Sequence, residues 1–342
     1  MKRVAGVLIL MILLLAGGGL LCYPLFEDMV YRFENNAEIS RFRNETAQGN
    51  GASGENAGDA GEDTAADDAS ADSAYLLQTM ESYNERIYRE GQAGMTDAWS
   101  DVDASFDFGF TGLEDEMIGY ITIPAMDEEL PLYIGADQEN LSKGAAVLAQ
   151  TSMPVGGENT NCVIAAHRGY GGKAMFREIE KLVPGDRVEI TNLWETLTYE
   201  VVKCIVIDPS DIEAVQIIPG ADMVTLVTCH PYTQNYQRYV VYCRREQAEQ
   251  DSGDEKSGGN DADNLLIPYE GVEYEPSGDE IRREQLINYA GIALFAGVCA
   301  LLAAALMKKI FSKGGKDGEK RKNRQRKKRR KRRKHRVGIK KS

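Results

Sequence analysis

The feature that most restricts this chain of 342 residues is a pair of uncharged apolar stretches, residues 4–21 and 286–307. A helix needs about 20 such residues to cross a bilayer core, so what lies between them is expected to fold on one side of a membrane. Lys2-Arg3 precedes the first stretch and Lys308-Lys309 follows the second, while Glu27-Asp28 and the acidic residues at 279–284 lie between them. Basic flanks stay in the cytoplasm. Both termini are therefore expected inside and residues 22–285 outside. The small residues Ala16-Gly17-Gly18 leave a cleaved signal peptide as the competing reading of the first stretch. A lipid-modified Cys22 is disfavoured by the bulky Leu21 before it.

Charge is segregated in the same way. The net charge of −13 hides a basic end, residues 308–342 at +18, and a remainder at −31. Residues 320–336 are nearly continuous Lys/Arg with no interleaved aromatics, which base stacking would need. Anionic membrane lipids are the expected partner of this tail, and nucleic acid is not. Residues 45–72 and 247–264 are acidic, Gly-rich and poor in large apolar side chains, a composition expected to stay disordered. Between them, Leu76, Leu77, Met80, Tyr83, Asn84, Ile87 and Tyr88 recur at three and four, as on one helical face. The expected organisation is a membrane helix at 4–21, a stem at 22–92, a loop with aromatic anchors at 93–112, a β-rich domain at 113–246, a linker and stalk at 247–285, a membrane helix at 286–307 and a basic tail at 308–342.

The β-rich domain is read from short β-branched runs separated by turn residues. They fall at 118–123, 130–134, 161–166, 187–191, 197–206, 222–228 and 239–244, with two short helices expected at 139–143 and 173–180. Many short strands in a domain of this size indicate an all-β barrel or sandwich with minor helices.

One run, Met223–Thr228, delivers Cys229 at its end, and Arg238 opens the next. A cysteine attacks as its thiolate and needs a proton acceptor nearby. Of three histidines, His335 is in the basic tail, and His230 is adjacent to Cys229, so in a strand it faces the other way. His167, at the end of the run 161–166, remains as general base and acid. Arg238 is the expected donor to a developing oxyanion; Arg168, Arg244 and Arg245 read as solvated surface charges. Cys162, Cys204 and Cys243 read as small buried hydrophobes, with a Cys204–Cys243 bridge left open. No CxxC spacing exists and only three histidines are present, so a zinc site is not expected.

Thr225-Leu226-Val227-Thr228-Cys229 followed by Arg238 resembles the TLxTC…R signature of sortases, the cell-wall transpeptidases of Gram-positive bacteria. Gly119-Tyr120-Ile121-Thr122-Ile123-Pro124, Leu130-Pro131-Leu132-Tyr133-Ile134-Gly135, Gly144, the stretch 151–157, His167-Arg168-Gly169, and Cys229-His230-Pro231-Tyr232 with Asn235 are similar to the class C, pilin-polymerising branch. The resemblance implies a closed sortase β-barrel flanked by two transmembrane helices. It implies a cysteine transpeptidase in which Cys229 cleaves an LPXTG-like sorting signal of a pilin or surface protein between Thr and Gly, forming a thioacyl enzyme. A pilin lysine, or a cell-wall peptide amine in housekeeping enzymes, then resolves it. His167 would move the protons and Arg238 would hold the substrate and its oxyanion, with no metal or organic cofactor required. Class C members also carry an Asp-Pro-aromatic lid. Asp97-Ala98-Trp99 stands in its place, with Asp97 implied to pair with Arg238 and Trp99 to cover Cys229. Ala98 replaces the proline that would stiffen the loop. Competing expectations are a cysteine hydrolase that releases peptide to water and a scaffold that only binds sorting signals.

Overall fold

The computed structural model describes residues 2–51, 64–92, 117–246 and 267–305, with Met95, Asp97 and Lys327. Eight strands form a closed barrel: β1 (Met117–Ile123), β2 (Glu128–Ile134), β3 (Ala145–Val147), β4 (Thr160–Ala165), β5 (Arg187–Asn192), β6 (Thr196–Ile207), β7 (Asp222–His230) and β8 (Gln237–Arg245). Their order around the barrel is β1-β2-β3-β4-β7-β8-β6-β5, and β5 pairs back to β1. The pairs β2–β3 and β4–β7 are parallel.

Both walls of this barrel are apolar. Ile121, Leu132, Val147, Ile164, Val188, Val201, Leu226 and Val241, one from each strand, belong to one buried cluster, which is the barrel interior. Tyr120, Tyr133, Val163, Val227, Val240 and Tyr242 point the other way and meet Ile39, Phe42, Leu141, Ala214 and Val215. Strands covered on both faces read as continuous apolar runs rather than alternating ones, and β4 and all but the first residue of β7 are buried. The barrel closes where β1 meets β5 at Gly119. A Cβ there would lie 2.1 Å from the Thr191 carbonyl oxygen, so only glycine lets these backbones approach.

Among the described residues there are four α-helices: α1 (Lys2–Gly51), α2 (Thr64–Glu90), α3 (Gln138–Lys143) and α4 (Gly278–Ala305). Helix α2 buries Leu76, Met80, Tyr83 and Ile87 in the interior cluster. Asn84 fastens it: its Oδ1 accepts from Met153 N at 2.7 Å and its Nδ2 donates to Met153 O at 3.3 Å. Helix α1 presents Ile39 and Phe42 to the outer wall, and its Arg32 reaches Glu128 at 2.8 Å.

Several expectations need correction. Residues 173–180 are not a helix. Gly171, Gly172 and Met175 take positive φ, Phe176 N donates back to His167 O at 3.0 Å, and only a 3-10 turn, Ile179–Lys181, follows. Met175, Phe176 and Ile179 are nonetheless fully buried, so the spacing recorded burial rather than helix. Strand β3 was not expected, being three small residues. The tract 45–72 is helical at both ends, α1 reaching Gly51 and α2 starting at Thr64. Its alanines favour helix as strongly as its lack of bulk disfavours a core. No cysteine forms a disulfide. Cys204 lies opposite Val241 and Cys243 opposite Val201, an offset along the β6–β8 ladder that keeps the two sulfurs from being paired.

Two flanking spans were expected, yet among the described residues one helix is long and apolar enough to cross a membrane, α4, with mean hydropathy 2.1. It starts eight residues before 286, taking in part of the expected stalk. Residues 4–21 are not a separate element but the first part of α1, whose helix continues through Pro24. The chain divides into two compact units, residues 24–283 with the barrel, and residues 1–23 with 284–342. Within the latter, Gly18 is so close to the Phe295 ring that a Cβ would lie 2.2 Å from it. Close approach through small residues is how apolar helices associate in lipid. Residues 52–63, Ala98 and Trp99, residues 100–116, the linker 247–266, and 306–342 apart from Lys327 lie outside the described residues.

Candidate active site

Two registers assemble the site. In the antiparallel β7–β8 ladder Cys229 stands directly opposite Arg238. In the parallel β4–β7 ladder Ala165 stands beside Val227, and two residues further along each chain are His167 and Cys229. The strand ends are tied there by Ala166 N to Val227 O at 3.3 Å and by the Thr228 hydroxyl donating to Ala166 O at 2.7 Å. Alternation decides the faces. Cys162, Ile164, Ala166, Val224, Leu226 and Tyr239 belong to the interior cluster, and Val163, Ala165, Val227 and Val240 to the outer one. Continued by one residue, the same period puts His167, Cys229 and Arg238 on the outer face, and Arg168 and His230 on the inner.

On the outer face Cys229 is buried. Burial pushes its thiol up to about 11, with the Arg238 guanidinium pulling down and Asp97 pushing up. Arg238 is held as a fork. Its Nε donates to Asp97 Oδ1 and its Nη2 to Asp97 Oδ2, each at 2.7 Å. Its Nη1 donates to the carbonyls of Asn235 at 3.1 Å and Gln237 at 2.9 Å. His167 is half-buried and stacks on Tyr170 with ring centroids 4.7 Å apart. Burial, and then the nearby Lys173, hold its pKa below the usual 6.5. Both shifts favour the uncharged forms, a thiol and a neutral imidazole.

The surface-charge expectation fails for Arg168, which is 4% exposed. Its Nη2 donates to Glu180 at 2.6 Å and its Nη1 lies 2.6 Å from Nδ1 of His230. His230 is completely buried; burial, and then Arg168, push its pKa down to about 4. Arg244 and Arg245 are six and seven residues along β8 from Arg238, roughly 20 Å away at strand rise. Sequence reasoning missed Glu180 altogether. Only the alternation of residues 167–168 against 229–230 signalled that Arg168 and His230 would share a face. Trp99, the expected cover of Cys229, lies outside the described residues. Among the described residues no three His, Cys, Asp or Glu side chains converge as metal ligands would.

The sortase-domain family model matches residues 121–246. Sortase D of Bacillus subtilis (strain 168) is 28% identical over 130 residues, 37% of this chain and 63% of that protein. Sortase A of Streptococcus agalactiae serotype III is 29% identical over 134 residues, 38% of this chain and 53% of that protein. The chain thus spans between half and two thirds of these curated relatives. Among solved structures, Sortase C1 of GBS Pilus Island 1 superimposes with a TM-score of 0.51 at 29% identity, covering 65% of this chain and 97% of that one. A barrel of this strand order, a matching domain and this neighbour together identify residues 121–246 as a sortase domain, most like those of class C members.

Proposed function

We propose that this chain is a membrane-anchored cysteine transpeptidase that joins pilin subunits. Cys229 attacks the Thr carbonyl of an LPXTG-like signal, and His167 takes the thiol proton and passes it to the departing glycine amine. The Thr acyl group is left as a thioester on Cys229. The neutral amine of an incoming pilin lysine attacks the thioester, and His167 takes the proton its nitrogen loses and returns it to the departing sulfur, which restores the thiol. Arg238 donates to the substrate carbonyl and to the oxyanion, an effect worth about 3–4 kcal/mol in comparable sites. What supports this reading is one observation, the register that sets Cys229 opposite Arg238 on the face reached by His167.

Asp97 occupies the guanidinium that the substrate needs. The segment 93–112 is accordingly read as a lid, with Trp99 over the thiol, that must leave before substrate binds. Helix α4 is read as the membrane anchor, with the barrel outside and the basic tail that follows it on anionic headgroups. Anchoring of surface proteins to a cell-wall peptide amine is the second reading, favoured by the Sortase A relative; it differs in the acceptor alone.

The test is the full chain in detergent with an LPXTG-type peptide, with and without an amine acceptor. A mass increment on Cys229 equal to the acyl fragment, absent in Cys229→Ala and discharged by amine, supports the proposal. Cleavage indifferent to amine would make it a hydrolase, and binding without an adduct a scaffold. Lysine-containing pilin against wall peptide as acceptor separates the two transpeptidase readings.

A further inference from the structure

The inner face of the strand ends that carry His167 and Cys229 holds a second set of polar groups, none of which the reaction above uses. Arg168 is at its centre. Besides Glu180 and His230, its Nη1 points to the carbonyl of Cys229 itself at 3.4 Å, and its guanidinium lies 5.8 Å from the Tyr239 ring centroid. Glu180 does more than neutralise it. Its two oxygens accept the backbone N–H of Ser277, at 3.1 and 2.9 Å. The Ser277 hydroxyl in turn accepts from Tyr232 N at 3.0 Å, in the turn between Cys229 and Arg238. Tyr274 stands edge-on to both His230 and Tyr239, at 5.2 and 5.7 Å. Ser277 is 2% exposed, and Ile281 N bonds its carbonyl to start α4.

The chain before α4 is thus built into the barrel. Val272 N donates to Val206 O at 2.8 Å, and Lys203 Nζ to Tyr269 O at 2.6 Å. A Cβ on Gly271 would lie 2.8 Å from the Val206 carbonyl oxygen. Residues 269–277 form a strap that follows β6 and ends beneath the turn carrying Arg238.

We propose that Arg168 is a positioning residue for Cys229, and that the strap ending at Ser277 latches Arg168 and the Cys229–Arg238 turn through Glu180. This rests on Cys229 being the nucleophile. A thiol at the last turns of a strand must be held to within about half an ångström to attack in line. On its own face Arg238 and His167 are committed to the reaction, whereas Arg168 reaches the Cys229 carbonyl from the opposite face. A buried Arg–Glu pair adds little to stability but defines one geometry. A strap whose one N–H is shared between both oxygens of that carboxylate lets the chain segment leading into α4 take part in that definition.

The test uses the full chain in detergent with an LPXTG-type peptide. Ser277→Pro removes the N–H that Glu180 accepts while leaving every group on the outer face in place. It is expected to lower kcat at least tenfold with KM within twofold of the parent, and the Cys229 adduct should still form, more slowly. Arg168→Met is expected to lower kcat further, and Arg168→Lys, which keeps a cation without the fork, to recover part of that loss. Should Arg168→Met not fold, Ser277→Pro and Ser277→Ala carry the test. An unchanged kcat in Ser277→Pro overturns the latch. Equal losses in Arg168→Lys and Arg168→Met, tracking a fall in Tm, overturn the positioning role in favour of a purely structural one. Absence of any adduct in the parent chain would instead defeat the proposed function.

Discussion

Replacing Asp97 by alanine should make Cys229 more reactive, and the structure sets the size of the effect. Asp97 holds Arg238 by two parallel charge-assisted bonds of 2.7 Å, with side-chain exposures of 19% and 9%. Hydrogen bonds to charged groups contribute about 1.5–3 kcal/mol net, so this contact favours its closed form by about 3 kcal/mol even after solvent screening. At 1.4 kcal/mol per tenfold, about 1% of molecules are undocked at any moment. Asp97→Ala removes the bias, so access to the thiol rises by up to roughly 100-fold. A second effect has the same sign. Burial raises the Cys229 thiol to about 11, a net value to which Arg238 contributes a downward pull and Asp97 an upward push. At pH 8 about one thiol in a thousand is ionised, and without Asp97 the thiolate fraction grows. The assay is the rate of iodoacetamide alkylation between pH 6 and 10, with the modified site located by peptide mass. Cys162 and Cys243 lie in the barrel interior and report unfolding if they react. The expected result is a rate at pH 7.5 at least tenfold above the parent, a lower pH midpoint, and silent interior cysteines. A rate within twofold of the parent, with the same midpoint, refutes both the lid and the electrostatic argument.

Three further outcomes are expected. Arg238→Lys keeps a charge but not the planar fork, and kcat should fall by roughly 10²–10³ in peptide turnover while alkylation of Cys229 quickens as the Asp97 clamp weakens. His230 has a folded pKa of about 4 against about 6.5 unfolded. The unfolded chain therefore binds the extra proton between these values, and stability should fall as pH drops through 6.5 towards 4. His230→Gln should flatten the dependence of urea midpoints on pH in that window. Gly119→Ala drives a Cβ into the Thr191 carbonyl at the seam where the barrel closes, with an expected cost of about 3 kcal/mol in urea unfolding.

The barrel and the outer-face residues were legible because both obey short-range rules. A strand with two covered walls is a run of Val, Ile and Leu, and seven of eight strands announced themselves that way. The eighth, Ala145–Val147, carries too little side chain to register as a run. Residues 173–180 misled for a related reason. Met175, Phe176 and Ile179 are spaced as in a helix and buried as in one, but the positive φ at Met175 is a property of the turn and not of apolar spacing. Among site residues, Cys229 and Arg238 are nine apart around one hairpin. His167 was reached by elimination among three histidines.

Arg168 shows where this kind of reading stops. The period of two that separates Cys229 from His230 separates His167 from Arg168 just as surely, so the sequence contained the statement that Arg168 and His230 share the inner face. It was not drawn because an arginine next to a strand end is ordinarily solvated. Burial becomes affordable only with a partner, and Glu180 lies in a segment whose secondary structure was misread. The strap that completes the set is 97 residues beyond Glu180 and across an acidic linker, a separation no local pattern bridges. The two faces of β4 and β7 therefore divide the labour. Groups on the outer face can be read by type, since chemistry demands a thiol, an imidazole and a guanidinium. Those on the inner face are fixed only by where the barrel brings them together, so substitutions there should change kcat while leaving the recognisable signature intact.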